Sequence, residues 1–188
     1  MSKTNLSHRV KQTLLLLCLM CSAFGLKAAV VTPEANKTYF IVNKQTGCVL
    51  SNGNSTNTDS PIYCLTREEN NYGQRWTMEL VSDNVYAFRN ELSRMGIDAA
   101  LNGISAGKTP LQYTFDKTNT NQQCHLMSVD GKEGVFQLAY LYKGQTYYMS
   151  LSEETFYTKT VMTTDQTDQY TYFTLEETQP APEPVKND

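Results

Sequence analysis

Apolar and polar residues alternate with a period of two in Thr38–Val42 (TYFIV), Trp76–Leu80 (WTMEL) and Val135–Tyr140 (VFQLAY). That is the pattern of a strand with one buried face. Stretches rich in turn residues separate such segments, as in Ser51–Pro61 (SNGNSTNTDSP) and Arg67–Gln74 (REENNYGQ). Across this region no window of ten or more residues repeats apolar positions at helical spacing. The pattern predicts an all-β chain of short strands.

The strands recur. Gln74–Leu80 (QRWTMEL) returns as Gln123–Val129 (QCHLMSV) and again as Tyr170–Leu175 (YTYFTL), which sets His125 and Phe173 in the place of Trp76. Thr38–Ile41 returns as Val85–Phe88 and Val135–Leu138. Val49–Asn54 (VLSNGN) returns as Ala100–Ser105 (ALNGIS) and Tyr148–Glu153 (YMSLSE). Ser60–Tyr63 returns as Thr109–Gln112 and more faintly as Thr158–Met162. Landmarks that keep one order three times over predict repeats at about 36–84, 85–134 and 135–178, each with four strands. Twelve strands so arranged suit a closed barrel with pseudo-threefold symmetry, because closure removes exposed strand edges.

The first 28 residues follow another pattern. Lys3, Arg9 and Lys11 precede a 14-residue apolar run, Thr13–Leu26, too short for the roughly 20 residues that span a bilayer. A basic start, a short apolar core and small residues after it read as a secretory signal peptide cut after Ala28. An exported chain without membrane insertion is the expectation. Cleavage would remove four bases and no acid. The remainder would hold twelve bases against nineteen acids, a net charge of −7 compared with −3 for the 188-residue chain. Such a balance speaks against nucleic acid as a partner. At the other end, Gln179–Asp188 (QPAPEPVKND) has three prolines and no apolar period, and reads as a disordered tail.

The run Thr38–Asn54 (TYFIVNKQTGCVLSNGN), with Ser60–Tyr63 and Gln74–Leu80 after it, resembles a repeat of the ricin-B-type β-trefoil. The likeness rests on the Tyr-x-Ile-Val-Asn opening, the Thr-Gly before the second strand and the closing Gln-x-Trp. It weakens through repeats two and three. The resemblance implies a β-trefoil of three repeats of about 48 residues over residues 29–178, with Trp76, His125 and Phe173 near the pseudo-threefold axis. Ile41, Phe88 and Leu138 are then expected in neighbouring layers.

Three cysteines lie beyond the signal segment: Cys48, Cys64 and Cys124. If Leu50 faces Ile62 across the second hairpin, Cys48 stands opposite Cys64 and the two can form a disulfide; two reduced core cysteines are the alternative. Cys124 and His125 are neighbours on one strand, so their side chains diverge and make no nucleophile–base pair. Zinc would need a cluster that one histidine and scattered cysteines do not supply. No metal, cofactor or catalytic residue is expected.

The resemblance also implies where a sugar would sit. Such pockets take an Asp after the second strand's Leu, an aromatic shelf on the third strand, and an Asn before Gln-x-Trp. Aligned on Leu50, Leu101 and Met149, the Asp positions hold Ser51, Asn102 and Ser150. The shelf positions hold Leu65, Thr114 and Thr164, and the Asn positions hold Gly73, Gln122 and Tyr170. No repeat carries the full set. Repeat two keeps most of it, through Asn102 and Gln122 with Phe115 beside the shelf. A non-catalytic protein that binds a glycan or glycoprotein is the leading expectation. The alternative is a protein-binding trefoil, such as a protease inhibitor acting through loop 51–60; a structural or adhesive component without a small ligand is the third.

Overall fold

The computed structural model describes residues 33–100, 103–153, 155 and 157–182. The expected signal segment 1–28 and the candidate Asn102 lie outside the described residues. Twelve strands follow in order: β1 (Thr38–Asn43), β2 (Val49–Ser51), β3 (Tyr63–Leu65), β4 (Trp76–Ser82), β5 (Val85–Asn90) and β6 (Gly96–Asp98), then β7 (Leu111–Tyr113), β8 (Cys124–Val129), β9 (Lys132–Tyr142), β10 (Gln145–Leu151), β11 (Tyr157–Thr163) and β12 (Tyr172–Thr178). Short 3-10 turns at Tyr72–Gln74, Thr120–Gln122 and Gln169–Thr171 precede β4, β8 and β12.

Closure explains why such short strands persist. β1 pairs with β4, β4 with β5, β5 with β8, β8 with β9, β9 with β12, and β12 returns to β1, all antiparallel. This six-stranded ring has no free edge. The hairpins β2–β3, β6–β7 and β10–β11 cap it and meet one another where β3 pairs with β11 and Pro61 bridges to Leu111. Tight connections join β4 to β5 and β8 to β9, where Asn84 (φ 57°) and Gly131 (φ 70°) take the left-handed backbone that a short hairpin turn needs. The expected all-β trefoil is the fold observed.

Ile41, Phe88 and Leu138 are buried and lie across from Leu175, Met78 and Leu126, as the layered core requires. The Trp layer departs from expectation. Trp76 pairs with Asn90, Phe173 pairs with Asn43, and the register of β8 with β9 sets Cys124, not His125, in the third place. Cys124 is fully buried, whereas His125 is only partly covered. A thiol in a Trp position would leave a void, and Tyr140 fills it from the opposite strand, where Asn43 and Asn90 stand in the other repeats. The Tyr140 hydroxyl is buried beside the Cys124 thiol without meeting full hydrogen-bond geometry. Burial pushes that thiol up to about 12, so Cys124 stays protonated and inert.

The disulfide Cys48–Cys64 forms, with Cα atoms 5.5 Å apart, but not by the expected register. Leu50 faces Cys64 rather than Ile62, so Cys48 reaches its partner diagonally from the turn before β2. The counterparts of Cys64 are Gln112 and Met162, which face Ile97 and Met149. Gln112 is buried and polar. Its Nε2 donates to the carbonyls of Ser55 (3.0 Å) and Asn57 (2.6 Å), and its Oε1 accepts from Asn52 (3.2 Å) and Ser93 (2.8 Å). Loop 51–60 is therefore folded onto the hairpin of repeat two, with its carbonyls turned inward.

Residues 179–182, expected within a disordered tail, are tied to the barrel instead. Arg75 Nη1 donates to the Gln179 carbonyl (2.9 Å), and the Ala181 amide donates to Glu91 Oε2 (2.8 Å). Both side chains are buried. Pro180 and Pro182 alternate with the residues whose backbone is used, so neither interrupts a bond. Residues 183–188 lie outside the described residues.

Three stability measurements test these packing assignments. Tyr140→Phe removes a hydroxyl with no complete hydrogen bond, so chemical denaturation should show a change below about 1 kcal/mol. Tyr140→Ala should cost about 3–5 kcal/mol, because it opens the void beside Cys124; a small loss would refute the compensation. Reduction of Cys48–Cys64, which closes a loop of sequence separation 16, should lower stability by about 3 kcal/mol, read as a lower melting temperature in reductant.

Candidate functional site

A glutamine amide locates the site. In repeat one, Gln74 Nε2 donates to the Thr66 carbonyl (2.9 Å) while its Oε1 accepts from the Glu68 amide (2.8 Å). In repeat two, Gln122 does the same with Thr114 (2.9 Å) and Asp116 (3.0 Å). Gln122 is thus the counterpart of Gln74, and Gln122-Gln123-Cys124 is the closing Gln-x-Trp with the indole replaced. The residue before the glutamine is Asn121, one place earlier than the sequence alignment put it.

The second strand moves as well. Buried Leu50, Ile97 and Met149 occupy equal places on β2, β6 and β10. The residues after them are Ser51, Asp98 and Ser150. Asp98, not Asn102, therefore stands in the Asp position of repeat two. The third-strand positions shift with it, to Leu65, Tyr113 and Thr163, the partners of Val49, Gly96 and Tyr148.

These residues converge in repeat two. Asp98 Oδ1 accepts from the Ala100 amide (3.1 Å), and Oδ2 accepts from Asn119 Nδ2 (3.2 Å) and Gln122 Nε2 (3.4 Å). Asn119 caps the 3-10 turn, its Oδ1 taking the Asn121 amide (3.0 Å), and Asn121 Nδ2 donates to the Ala100 carbonyl (3.1 Å). Tyr113 pairs with Gly96, and Leu111 with Asp98, so Tyr113 and Asp98 share one sheet face. Tyr113 is 38% exposed. Gly96 keeps that face open: a Cβ there would run into Gln122 Oε1 and come within 3.1 Å of Phe115.

Of the residues expected from sequence, Gln122 lies against Asp98, its Nε2 donating to Oδ2 (3.4 Å). Phe115 is partly buried over Gly96, with the Arg89 guanidinium 5.8 Å from its ring centre, so it supports the floor and Tyr113 takes the shelf. Burial raises the carboxyl of Asp98 above its ordinary value, against the lowering hydrogen bonds from Ala100, Gln122 and Asn119. A buried acid bordered by amide donors and an exposed aromatic face can accept hydroxyl protons while a ring packs against apolar C–H groups.

The other repeats differ. Repeat one has Ser51, Leu65 and Gly73 in the three places. In repeat three the Ser150 hydroxyl donates to Asp168 Oδ2 (2.5 Å), leaving the acid on the turn rather than on the strand. Among the described residues no three His, Cys, Asp or Glu side chains group as metal ligands, and no helix is long and apolar enough to cross a membrane.

The frame that would have found Asp98 was present in the sequence. Asn43 to Asn90 is the same step along the chain as Ser51 to Asp98, whereas Leu50 to Leu101 is a longer one. Leu101-Asn102 drew the alignment because it mimics Leu50-Ser51, an apolar residue followed by a small polar one.

Comparison with known proteins agrees with this fold. Residues 27–113 match the family model described as a ricin-type beta-trefoil lectin domain-like domain. The designed threefold-symmetric protein ThreeFoil superposes with a TM-score of 0.66 at 17% identity, covering 73% of this chain and 96% of that one. The ricin B-like lectin of Macrolepiota procera, solved with lactose, gives 0.64 at 18% identity, covering 79% of this chain and all of that one. The Rhizoctonia solani agglutinin gives 0.65 at 14% identity, covering 79% and 99%. No curated protein sequence matches the chain. In fold the chain is a β-trefoil, similar to the ricin-type lectin-like family over its first repeat and the start of its second.

Proposed function

We propose that this chain is a secreted, non-catalytic saccharide-binding protein whose site is formed in repeat two by Asp98, Tyr113, Asn119 and Asn121. The observation that carries the reading is the buried Asp98 carboxylate, bordered by amide donors from the 3-10 turn and by an exposed tyrosine on the same sheet face. Its two oxygens accept from neighbouring sugar hydroxyls, and the Asn119 and Asn121 amides are within reach to complete that network. The Tyr113 ring supplies the flat apolar surface against which one face of a pyranose packs. Residues 1–28 serve as the export signal. The trefoil occupies residues 29–178, and a glycan or glycoprotein is the partner.

The Macrolepiota procera structure was solved with lactose, which makes lactose the first probe. Asp98→Asn replaces an ionised acceptor with a neutral amide and should weaken lactose binding about 10- to 100-fold by calorimetry. An unchanged affinity in the folded variant would sink the assignment. Protonation removes the same acceptor. Because burial raises the Asp98 carboxyl, affinity should be full at neutral pH and fall as pH drops through a value above the usual 3.9 or so for aspartate. The fold itself should respond in the opposite sense. A raised carboxyl disfavours the charged form, so protonating Asp98 adds stability as pH falls through its folded value.

A further inference from the structure

The hairpin of repeat one carries an aromatic surface that the repeat-two site does not use. Tyr63 and Tyr157 lie side by side across the β3–β11 seam, with ring centres 5.8 Å apart and planes inclined by 36°. Tyr157 pairs with Leu65, and Lys159 pairs with Tyr63, so all four side chains share one face of the sheet. Tyr157 is 73% exposed, the highest value among the exposed large apolar side chains. Tyr63 is fixed from beneath, since a Cβ on Gly53 would come within 3.0 Å of its ring.

Leu65 is the repeat-one counterpart of Tyr113. The aromatic ring that repeat one lacks at the Leu65 position is thus supplied from repeat three by Tyr157, which pairs with Leu65. Lys159 is exposed and forms no ion pair among the described residues. In a chain with an excess of acids, an unpaired cation beside a bare ring is the complement of an anionic ligand that also has an apolar face.

We infer that Tyr63, Tyr157 and Lys159 form a second saccharide site, specific for an acidic sugar such as a uronic acid. The pyranose face packs on the Tyr157 ring, and the Lys159 ammonium takes the sugar carboxylate. Asp98 in repeat two repels the same carboxylate, so the two sites divide their ligands by charge. This rests on the reading of the chain as a saccharide binder, and two simultaneous sites would raise its avidity for mixed glycans.

The test uses the full chain, with a glucuronic acid-containing oligosaccharide and lactose as separate probes in calorimetry. Tyr157→Ala and Lys159→Gln, both at exposed positions, should each weaken binding of the acidic probe by about tenfold or more and leave lactose unaffected. Asp98→Asn should do the reverse. Loss of acidic binding on Asp98→Asn, retention of it in Tyr157→Ala, or no acidic binding by the folded wild type would each overturn the second site. The lactose arm is separate: absent lactose binding with intact, Tyr157-dependent acidic binding would count against repeat two alone.

Discussion

One side-chain amide governs how this trefoil presents a site. Gln122 bonds at once to the Thr114 carbonyl, the Asp116 amide and the Asp98 carboxylate. It ties the segment after β7, the turn before β8 and the end of β6 into a single cluster. None of these pieces is regular enough to hold itself, and a buried amide left unpaired costs a few kcal/mol, so the three are set together or not at all. Gln74 repeats the first two of these bonds in repeat one. Repeat three lacks the glutamine and recruits Gln137 from β9, whose Nε2 donates to the Gln166 carbonyl (2.8 Å) and the Thr171 hydroxyl (2.7 Å). The clamp is retained there by a donor from another strand, which is why the closing motif fades in sequence while the fold does not.

Alternation and repetition were enough to read the architecture, because both follow directly from burial. Period two marks each barrel strand, and closure of the ring makes threefold recurrence visible as spacing. Individual places were harder to read where one residue's change is answered by another far along the chain. Cys124 occupies an indole position only because Tyr140 supplies the missing volume, and nothing near Cys124 announces that. His125, the larger neighbour, drew the alignment one place too far and carried Gln122 with it. The disulfide was legible although its register was not, since a diagonal approach from the turn before β2 is as compatible with bridging as a direct one.

The candidate site was legible in its repeat and in Gln122, not in its acid. Asp98 sits in a three-residue strand without alternation to flag it, and only equal spacing from Ser51 identifies it. Tyr113 was hidden for a related reason. An aromatic facing outward at the end of so short a strand and one folded under just beyond it, as Phe115 is, look alike until the pairing with Gly96 separates them.

The place held by Cys64, Gln112 and Met162 illustrates how a symmetric frame is fastened in three unlike ways: a covalent bond, an amide network and a thioether in the core. The first two are not independent. Gln112 grips the carbonyls of Ser55 and Asn57, which belong to the loop that the disulfide staples at its base. It also lies on β7, next to Tyr113. The sulfur bridge in repeat one therefore acts as a splint for the hairpin of repeat two, and the redox state of the surroundings reaches the strand that carries Tyr113 through a single glutamine.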